Sequence, residues 1–167
     1  MFTIEKLPTK PSELEQTIQA VATIEDIVQP QDAWTYQTLI ELLEQDSINM
    51  LVVYAQQHEE KAFNNKMIGY CLYQVVFEQA EILRIGTHPD YQRQGVASQL
   101  FTVLNKQLQA CKVETLLLEV RADNDPAIAL YEQHGFTVIH RRSGYYQQPR
   151  QPAIDALIMQ KLYSSRL

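Results

Sequence analysis

The amino-acid sequence predicts a mixed α/β fold, with a central sheet of about seven strands flanked by about four helices. Two observations predict it. Short apolar runs typical of strands alternate with longer runs of helical spacing, in the order β-α-α-β-β-β-α-β-α-β-β. The length of 167 residues suits one domain, which we place over residues 1–167.

The N-terminal half is predicted to hold two helices and four strands. Ser12 is the expected N-cap of the first helix, and Pro30 ends that helix. Thr35 is expected to cap the second helix. The predicted strands cover residues 2–7, 49–56, 67–77 and 81–87, and a polar hairpin loop covers 57–65.

The C-terminal half begins with the longest predicted helix, residues 96–111. Its apolar stripe consists of Val96, Leu100, Leu104, Leu108 and Cys111. Residues 115–121 are so apolar that we expect a strand buried on both faces. A last helix starts at Asp125 and Pro126 and ends at Gly135. Two final strands, 136–142 and 153–162, are separated by a loop rich in Tyr, Gln and Pro.

Composition and charge argue against several classes of function. The 20 acidic and 14 basic side chains give a charge of −6, which argues against nucleic-acid binding and suits a cationic partner, although a solvated acidic surface explains it equally well. No apolar run approaches the roughly 18 residues that span a bilayer, and we expect no membrane association. The 2 cysteines suggest no disulfide framework, and we expect a cytoplasmic protein. The 4 histidines lack ligand spacing, and we predict no metal.

The segment between the strand at 81–87 and the long helix has the features of a phosphate-binding loop. A loop that leads into a helix presents backbone N–H groups where an anion can bind. The glycines never fall two apart and no Gly-Lys-Ser/Thr follows them, which excludes dinucleotide and P-loop motifs. The remaining pattern is Gln92-x-x-Gly95-x-Ala97. On these residues alone an ordinary strand-to-helix turn is an equal alternative.

Several ordered motifs resemble the GNAT N-acetyltransferase superfamily, and within it the RimI type. They are DYQRQG at 90–95, LEVRADN at 118–124 and AIALYE at 127–132. The pairs Gly135-Phe136, Tyr145-Tyr146, Asp155-Ala156 and Trp34-Thr35 are also similar. The resemblance is dense from residue 68 to 159 and thin before residue 34.

This resemblance implies acetyl-CoA as the co-substrate. Its pantetheine arm would follow Ile85, Gly86 and Thr87, although Gly86 could instead mark a bulge. The implied pyrophosphate site consists of Arg93, Gln94, Gly95, Val96, Ala97 and Ser98. Ala97 and Ser98 stand where the RimI type commonly has glycine and arginine, so Ser98 could remove one phosphate contact.

Glu119 is the main catalytic candidate. A carboxylate inside an apolar strand is costly to bury, so it has a task or a partner such as Arg121. The resemblance makes Glu119 the general base, acting directly or through water, and Tyr131 the general acid. On spacing alone Tyr131 is a core aromatic.

Other candidates near these motifs have smaller roles. Asn124 could cap the following helix, contact the cofactor, or both. Cys71 and Cys111 lack a histidine nearby in sequence, and we expect both to be buried packing residues in a reaction without an acyl-enzyme. The oxyanion would meet a backbone N–H near Ile85.

The amine is the least determined part. Deprotonation at pH 7 costs roughly 1 kcal/mol for an α-amine and about 4–5 kcal/mol for lysine, which favours a protein N-terminus. The RimI likeness implies the N-terminal alanine of ribosomal small-subunit protein eighteen, in a basic N-terminal peptide. Tyr145, Tyr146 and Trp34 would contact this peptide, while the glutamine- and proline-rich residues 147–152 differ from the usual acidic version.

Two other functions remain open. One is a GNAT enzyme for a lysine side chain or a small-molecule amine. The other is a non-catalytic acetyl-CoA-binding module, against which Glu119 and Tyr131 argue. For the oligomeric state, which the sequence does not fix, we expect a monomer or a weak dimer.

Overall fold

The computed structural model describes residues 1–56 and 65–164. In these residues the predicted order of seven strands and four α-helices is confirmed. The strands are β1 (Phe2–Lys6), β2 (Ile48–Ala55), β3 (Lys66–Val76), β4 (Gln79–Thr87), β5 (Thr115–Arg121), β6 (Thr137–Tyr146) and β7 (Ile154–Leu162). The helices are α1 (Pro11–Val28), α2 (Tyr36–Leu43), α3 (Val96–Ala110) and α4 (Asp125–Gln133).

The strands form one mixed sheet in the order β1-β2-β3-β4-β5-β7-β6. β4 and β5 are parallel, with Glu81 opposite Leu117. β7 runs antiparallel to both β5 and β6. β6 therefore ends the order, and its hydrogen-bonded neighbour is β7.

The chain divides into two compact units. The first comprises Met1–Gln74 and Arg84–Asn105, and the second comprises Val75–Leu83 and Lys106–Leu167. The first unit has its own buried residues on α1, β2, β3 and the start of α3, and the second has them on β5, β7 and α4. That residues 1–167 form one domain stays a prediction.

The two N-terminal helices begin differently from each other. Thr35 caps α2 as predicted, since its hydroxyl accepts the Thr38 N–H at 3.2 Å. The prediction of Ser12 as the N-cap of α1 is wrong. Lys10 holds that position and Pro11 is the first helical residue, where its fixed φ and missing N–H cost nothing.

The end of α3 corrects the expectation for Cys111. Lys112 adopts a left-handed φ of 60°, and the Val113 N–H returns to the Leu108 carbonyl at 3.0 Å. This turn buries Val113 beside the helix and leaves Cys111 exposed. Cys71 is buried as expected, and burial raises the pKa of its thiol to about 12.

β5 is not buried on both faces as predicted. Leu116, Leu118 and Val120 are buried, whereas the alternate residues of the strand are only half-buried. Glu119 and Arg121 lie on this second face, and their charges favour contact with water. The face of β5 that carries Glu119 and Arg121 is therefore partly open to a ligand.

Two loop expectations also changed. Tyr145 and Tyr146 are the last residues of β6 and not part of a loop. The strand continues because Gly144, with φ of 62°, and a register shift between Arg142 and Tyr146 carry the chain through the turn-forming sequence. The predicted hairpin loop at 57–65 lies outside the described residues, apart from Asn65.

Candidate active site

The predicted phosphate loop lies between β4 and α3. A short 3₁₀ turn, Pro89–Tyr91, leads into it. Two glutamine side chains brace it, since Gln92 Nε2 donates to the Thr87 carbonyl at 3.2 Å and Gln94 Nε2 to the Asp90 carbonyl at 3.0 Å. The loop thus keeps its shape through its own side chains.

The start of α3 fits an anionic group. The Gln99 N–H bonds to the Gly95 carbonyl at 3.0 Å, which places Gly95 at the N-terminal end of α3, where the helix dipole favours an anion. Gly95 has a φ of 83°, and an added Cβ there would meet nothing within 4 Å. The backbone is thus open to a ligand at this point. Arg93, with φ of 59°, is exposed beside it.

The end of β4 carries Ile85, Gly86 and Thr87. A Cβ on Gly86 would lie 2.8 Å from a ring carbon of Tyr70. The glycine is therefore required by the packing of Tyr70 from β3, a reason that neither sequence interpretation of Gly86 contained. Ile85 and Thr87 are half-buried.

Trp34, the candidate peptide contact in this unit, lies just before α2 and is half-buried. Its backbone N–H donates to Glu25 Oε2 at 2.9 Å. The guanidinium carbon of Arg84 lies 4.3 Å from its ring centroid. Arg84 was not among the predicted site residues.

Glu119, in the second unit, has a side chain that is 25% exposed. The Tyr146 hydroxyl donates to its Oε1 at 2.9 Å, and Arg142 Nη1 lies 3.5 Å from its Oε2. Arg121, the partner weighed from sequence, instead bonds Asp123 through Nε and Nη2, each at 3.1 Å. The structure therefore joins one catalytic candidate, Glu119, with one substrate candidate, Tyr146.

The two tyrosines differ in their surroundings. Tyr146 is half-buried, and burial and its bond to Glu119 raise the pKa of its hydroxyl, which stays a donor at neutral pH. Tyr145 is exposed and meets Tyr146 edge to face, with ring centroids 5.2 Å apart. Arg142 lies over the Tyr145 ring at 5.4 Å.

Glu81 is a second carboxylate of this site that sequence reasoning missed. Its register opposite Leu117 puts it on the same face of the sheet as Glu119. Burial raises the pKa of Glu81, the charge of Glu119 raises it further, and Arg142 opposes the rise. The alternation of polar and apolar residues from Gln79 to Ile82 was the signal in the sequence.

Asn124 and Tyr131 lie at opposite ends of α4. The Asn124 side chain accepts the Ala127 N–H at 3.3 Å, so its capping role is confirmed. Tyr131 is buried, its ring meets Phe136 with centroids 5.9 Å apart, and its carbonyl accepts the Phe136 N–H at 3.0 Å. With Gly135 at φ of 88° this closes the helix, so Tyr131 is at least a packing residue.

The geometry can be compared with known proteins. A model described as "Acetyltransferase (GNAT) family" matches residues 20–136. The chain belongs to the GNAT acetyltransferase family. GNAT proteins use acetyl-CoA. A GNAT family acetyltransferase from Elizabethkingia anophelis with acetyl-CoA bound shares the fold, with a TM-score of 0.69 and 16% identity over 97% of this chain and 98% of that chain.

Within the GNAT family, the curated relatives include ribosomal protein bS18-alanine N-acetyltransferases. The protein from Escherichia coli (strain K12) is 46% identical over 83 residues, 50% of this chain and 56% of that protein. The protein from Salmonella typhimurium (strain LT2) is 41% identical over 96 residues, 58% of this chain and 64% of that protein. The matched stretch thus spans about 56% of the E. coli relative.

A solved structure extends the comparison along the chain. The crystal structure of the ribosomal-protein-S18-alanine N-acetyltransferase from Escherichia coli superposes with a TM-score of 0.80 and 31% identity. It covers 100% of this chain and 99% of that chain. The GNAT fold and the RimI resemblance read from the sequence are confirmed.

Residues 1–56 and 65–164 contain neither a candidate membrane span nor a candidate metal site. No helix there is long and apolar enough to cross a membrane. No group of three or more His, Cys, Asp and Glu side chains there could hold a metal ion. The absence of a metal from the mechanism stays a prediction.

Proposed function

We propose that this protein is an acetyl-CoA-dependent N-α-acetyltransferase that acts on the N-terminal alanine of ribosomal protein bS18. The observation that carries the proposal is the setting of Glu119. It is a half-buried carboxylate on the face of β5 that stays partly open, and a protonated tyrosine hydroxyl holds it at 2.9 Å. The similarity to the E. coli enzyme supports the choice of substrate.

In the proposed reaction the amine nitrogen attacks the thioester carbonyl carbon directly. Glu119 takes the proton that the amine loses, directly or through water. The carbon–sulfur bond breaks as the amide bond forms, and Tyr131 donates a proton to the leaving thiolate. Tyr131 and Glu119 then return to their starting states by proton exchange with solvent. The buried, weakly acidic thiol of Cys71 is unsuited to form an acyl-enzyme.

Two segments of the first unit are proposed to hold acetyl-CoA. The pyrophosphate would accept hydrogen bonds from backbone N–H groups at the start of α3. The residues proposed to surround it are Arg93, Gln94, Gly95, Val96, Ala97 and Ser98. The pantetheine arm would follow Ile85, Gly86 and Thr87, where a strand N–H near Ile85 would meet the oxyanion. A contact between Asn124 and the cofactor is proposed as its second role.

Charge supports a cationic peptide as the second substrate. The chain has a net charge of −6, and Glu81 and Glu119 share one face of the sheet. Tyr145 is exposed and meets Tyr146, the partner of Glu119, edge to face, so its ring would pack against a peptide backbone. The cytoplasmic location, and the expectation of a monomer or weak dimer, stay predictions.

The test is acetyl transfer measured by mass spectrometry with three acceptors. They are a peptide copying the bS18 N-terminus, the same peptide with a blocked α-amine, and a small primary amine. We expect acetylation of the free peptide alone. Turnover of the blocked peptide would indicate lysine specificity, and turnover of the small amine alone would replace the proposed substrate. Binding of acetyl-CoA without turnover of any acceptor would indicate a binding module.

A further inference from the structure

The connection between α1 and α2, residues 29–35, is attached to β4 by Arg84. Arg84 Nη2 donates to the Asp32 carbonyl at 2.7 Å and to Asp32 Oδ2 at 2.9 Å. The guanidinium plane also lies over the Trp34 ring, at 4.3 Å. One side chain thus holds two positions of the connection.

Glu25 holds the same connection from α1. It is fully buried and accepts the Trp34 N–H on Oε2, while the Tyr70 hydroxyl donates to Oε1. Arg84 Nε lies 3.8 Å from Oε2, within ion-pair distance. The Arg84 side chain is only 13% exposed, so solvent screens this pair little.

This attachment needs an arginine. A guanidinium can donate in its plane to Asp32 and stack on an indole at the same time. A lysine would keep the positive charge near Glu25 but could not reproduce the fork or the stacked plane.

The attachment contributes position more than stability at its outer end. Asp32 is 80% exposed, and exposed ion pairs stabilise proteins little. Its effect is to fix Trp34 relative to β4. Arg84, which makes the attachment, directly precedes Ile85 on that strand. That segment is where the proposed reaction occurs.

We propose that Arg84 is a positioning residue for the amine substrate, acting through Trp34 and residues 29–35. This rests on the proposed function, since it assigns Trp34 to the peptide side of the site. Loss of the attachment raises the KM for the peptide more than the KM for acetyl-CoA, because the contacts that are lost lie on Asp32 and Trp34 and not on the proposed cofactor residues.

The test uses Arg84→Lys and Asp32→Asn in the full chain. Asp32→Asn removes only the charge at the exposed end of the attachment, where Arg84 meets Asp32. It therefore tests the inference even if Arg84→Lys does not fold. Glu13→Gln is the matched control, because Glu13 forms an exposed ion pair with Lys10 on α1. Trp34 is the single tryptophan, so its fluorescence and its quenching by acrylamide report the attachment without an activity assay.

We expect Arg84→Lys to raise the peptide KM on the order of tenfold, since small displacements of positioning groups can cost up to about a hundredfold. Trp34 should become more accessible to acrylamide in both variants, and Glu13→Gln should match the wild type. An active wild type whose peptide KM is unchanged in both variants would overturn the inference alone. A wild type that acetylates no amine would overturn the proposed function and with it this inference.

Discussion

Gly86→Ala separates packing from ligand binding at the end of β4. An added Cβ would lie 2.8, 2.9 and 3.0 Å from Cε1, the hydroxyl oxygen and Cζ of Tyr70. Comfortable carbon contacts are about 3.5–4.0 Å, so the ring must move by roughly 0.7 Å. The ring is fully buried and its hydroxyl is bonded to Glu25, so it cannot swing aside freely. We expect a loss of about 1–3 kcal/mol in the free energy of unfolding.

The measurement is urea unfolding followed by circular dichroism, with acetyl-CoA binding measured in parallel by calorimetry. Tyr70→Leu supplies the control background, because it removes the ring atoms that the new methyl group would meet. Gly86→Ala should cost less there, with a coupling energy of about 0.5–3 kcal/mol. Equal losses in both backgrounds would refute the packing argument. Unchanged stability with weakened acetyl-CoA binding would show that the glycine serves the ligand instead.

Three further predictions concern the second unit. Glu119→Gln should lower kcat/KM about 10²–10⁴-fold near neutral pH and leave the affinity for acetyl-CoA intact. Its control is Glu114→Gln, at an exposed glutamate. An unchanged pH–rate profile would remove Glu119 from the base role. Tyr131→Phe keeps the ring against Phe136, so loss of the hydroxyl should lower kcat, and full activity would leave Tyr131 a packing residue only. Gly144 and Arg141 lower the pKa of Asp155. Its stabilisation is therefore present above the usual carboxyl pKa of about 4 and lost as pH falls through the lowered value, so the melting temperatures of wild type and Asp155→Asn should differ at pH 7 and converge in acid.

Elements whose causes are local were predictable from the sequence. Thr35 and Asn124 carry side chains that cap a helix by bonding an N–H three residues ahead, and both do so. Gly135 closes α4 because a glycine adopts a left-handed φ without steric cost. Cys111 was misjudged because Lys112 takes a left-handed conformation that its residue type does not announce.

The partners of the site residues were not predictable, because they depend on register. Bulges in β6, between Val138 and His140 and between Arg142 and Tyr146, decide which side chains reach Glu119. No local pattern announces these shifts. The network of Arg84 with Glu25 joins residues far apart in sequence, and only the fold brings them together.

The hydroxyl that holds Glu119 comes from β6, the last strand of the sheet, and reaches past β7 to β5. Strands at the border of a sheet open at lower free energy than central ones. Heating should therefore release the carboxylate while the central strands stay paired. Acetyl transfer, the proposed activity, would then be lost below the melting temperature. Activity and circular dichroism followed along one temperature ramp would reveal that gap.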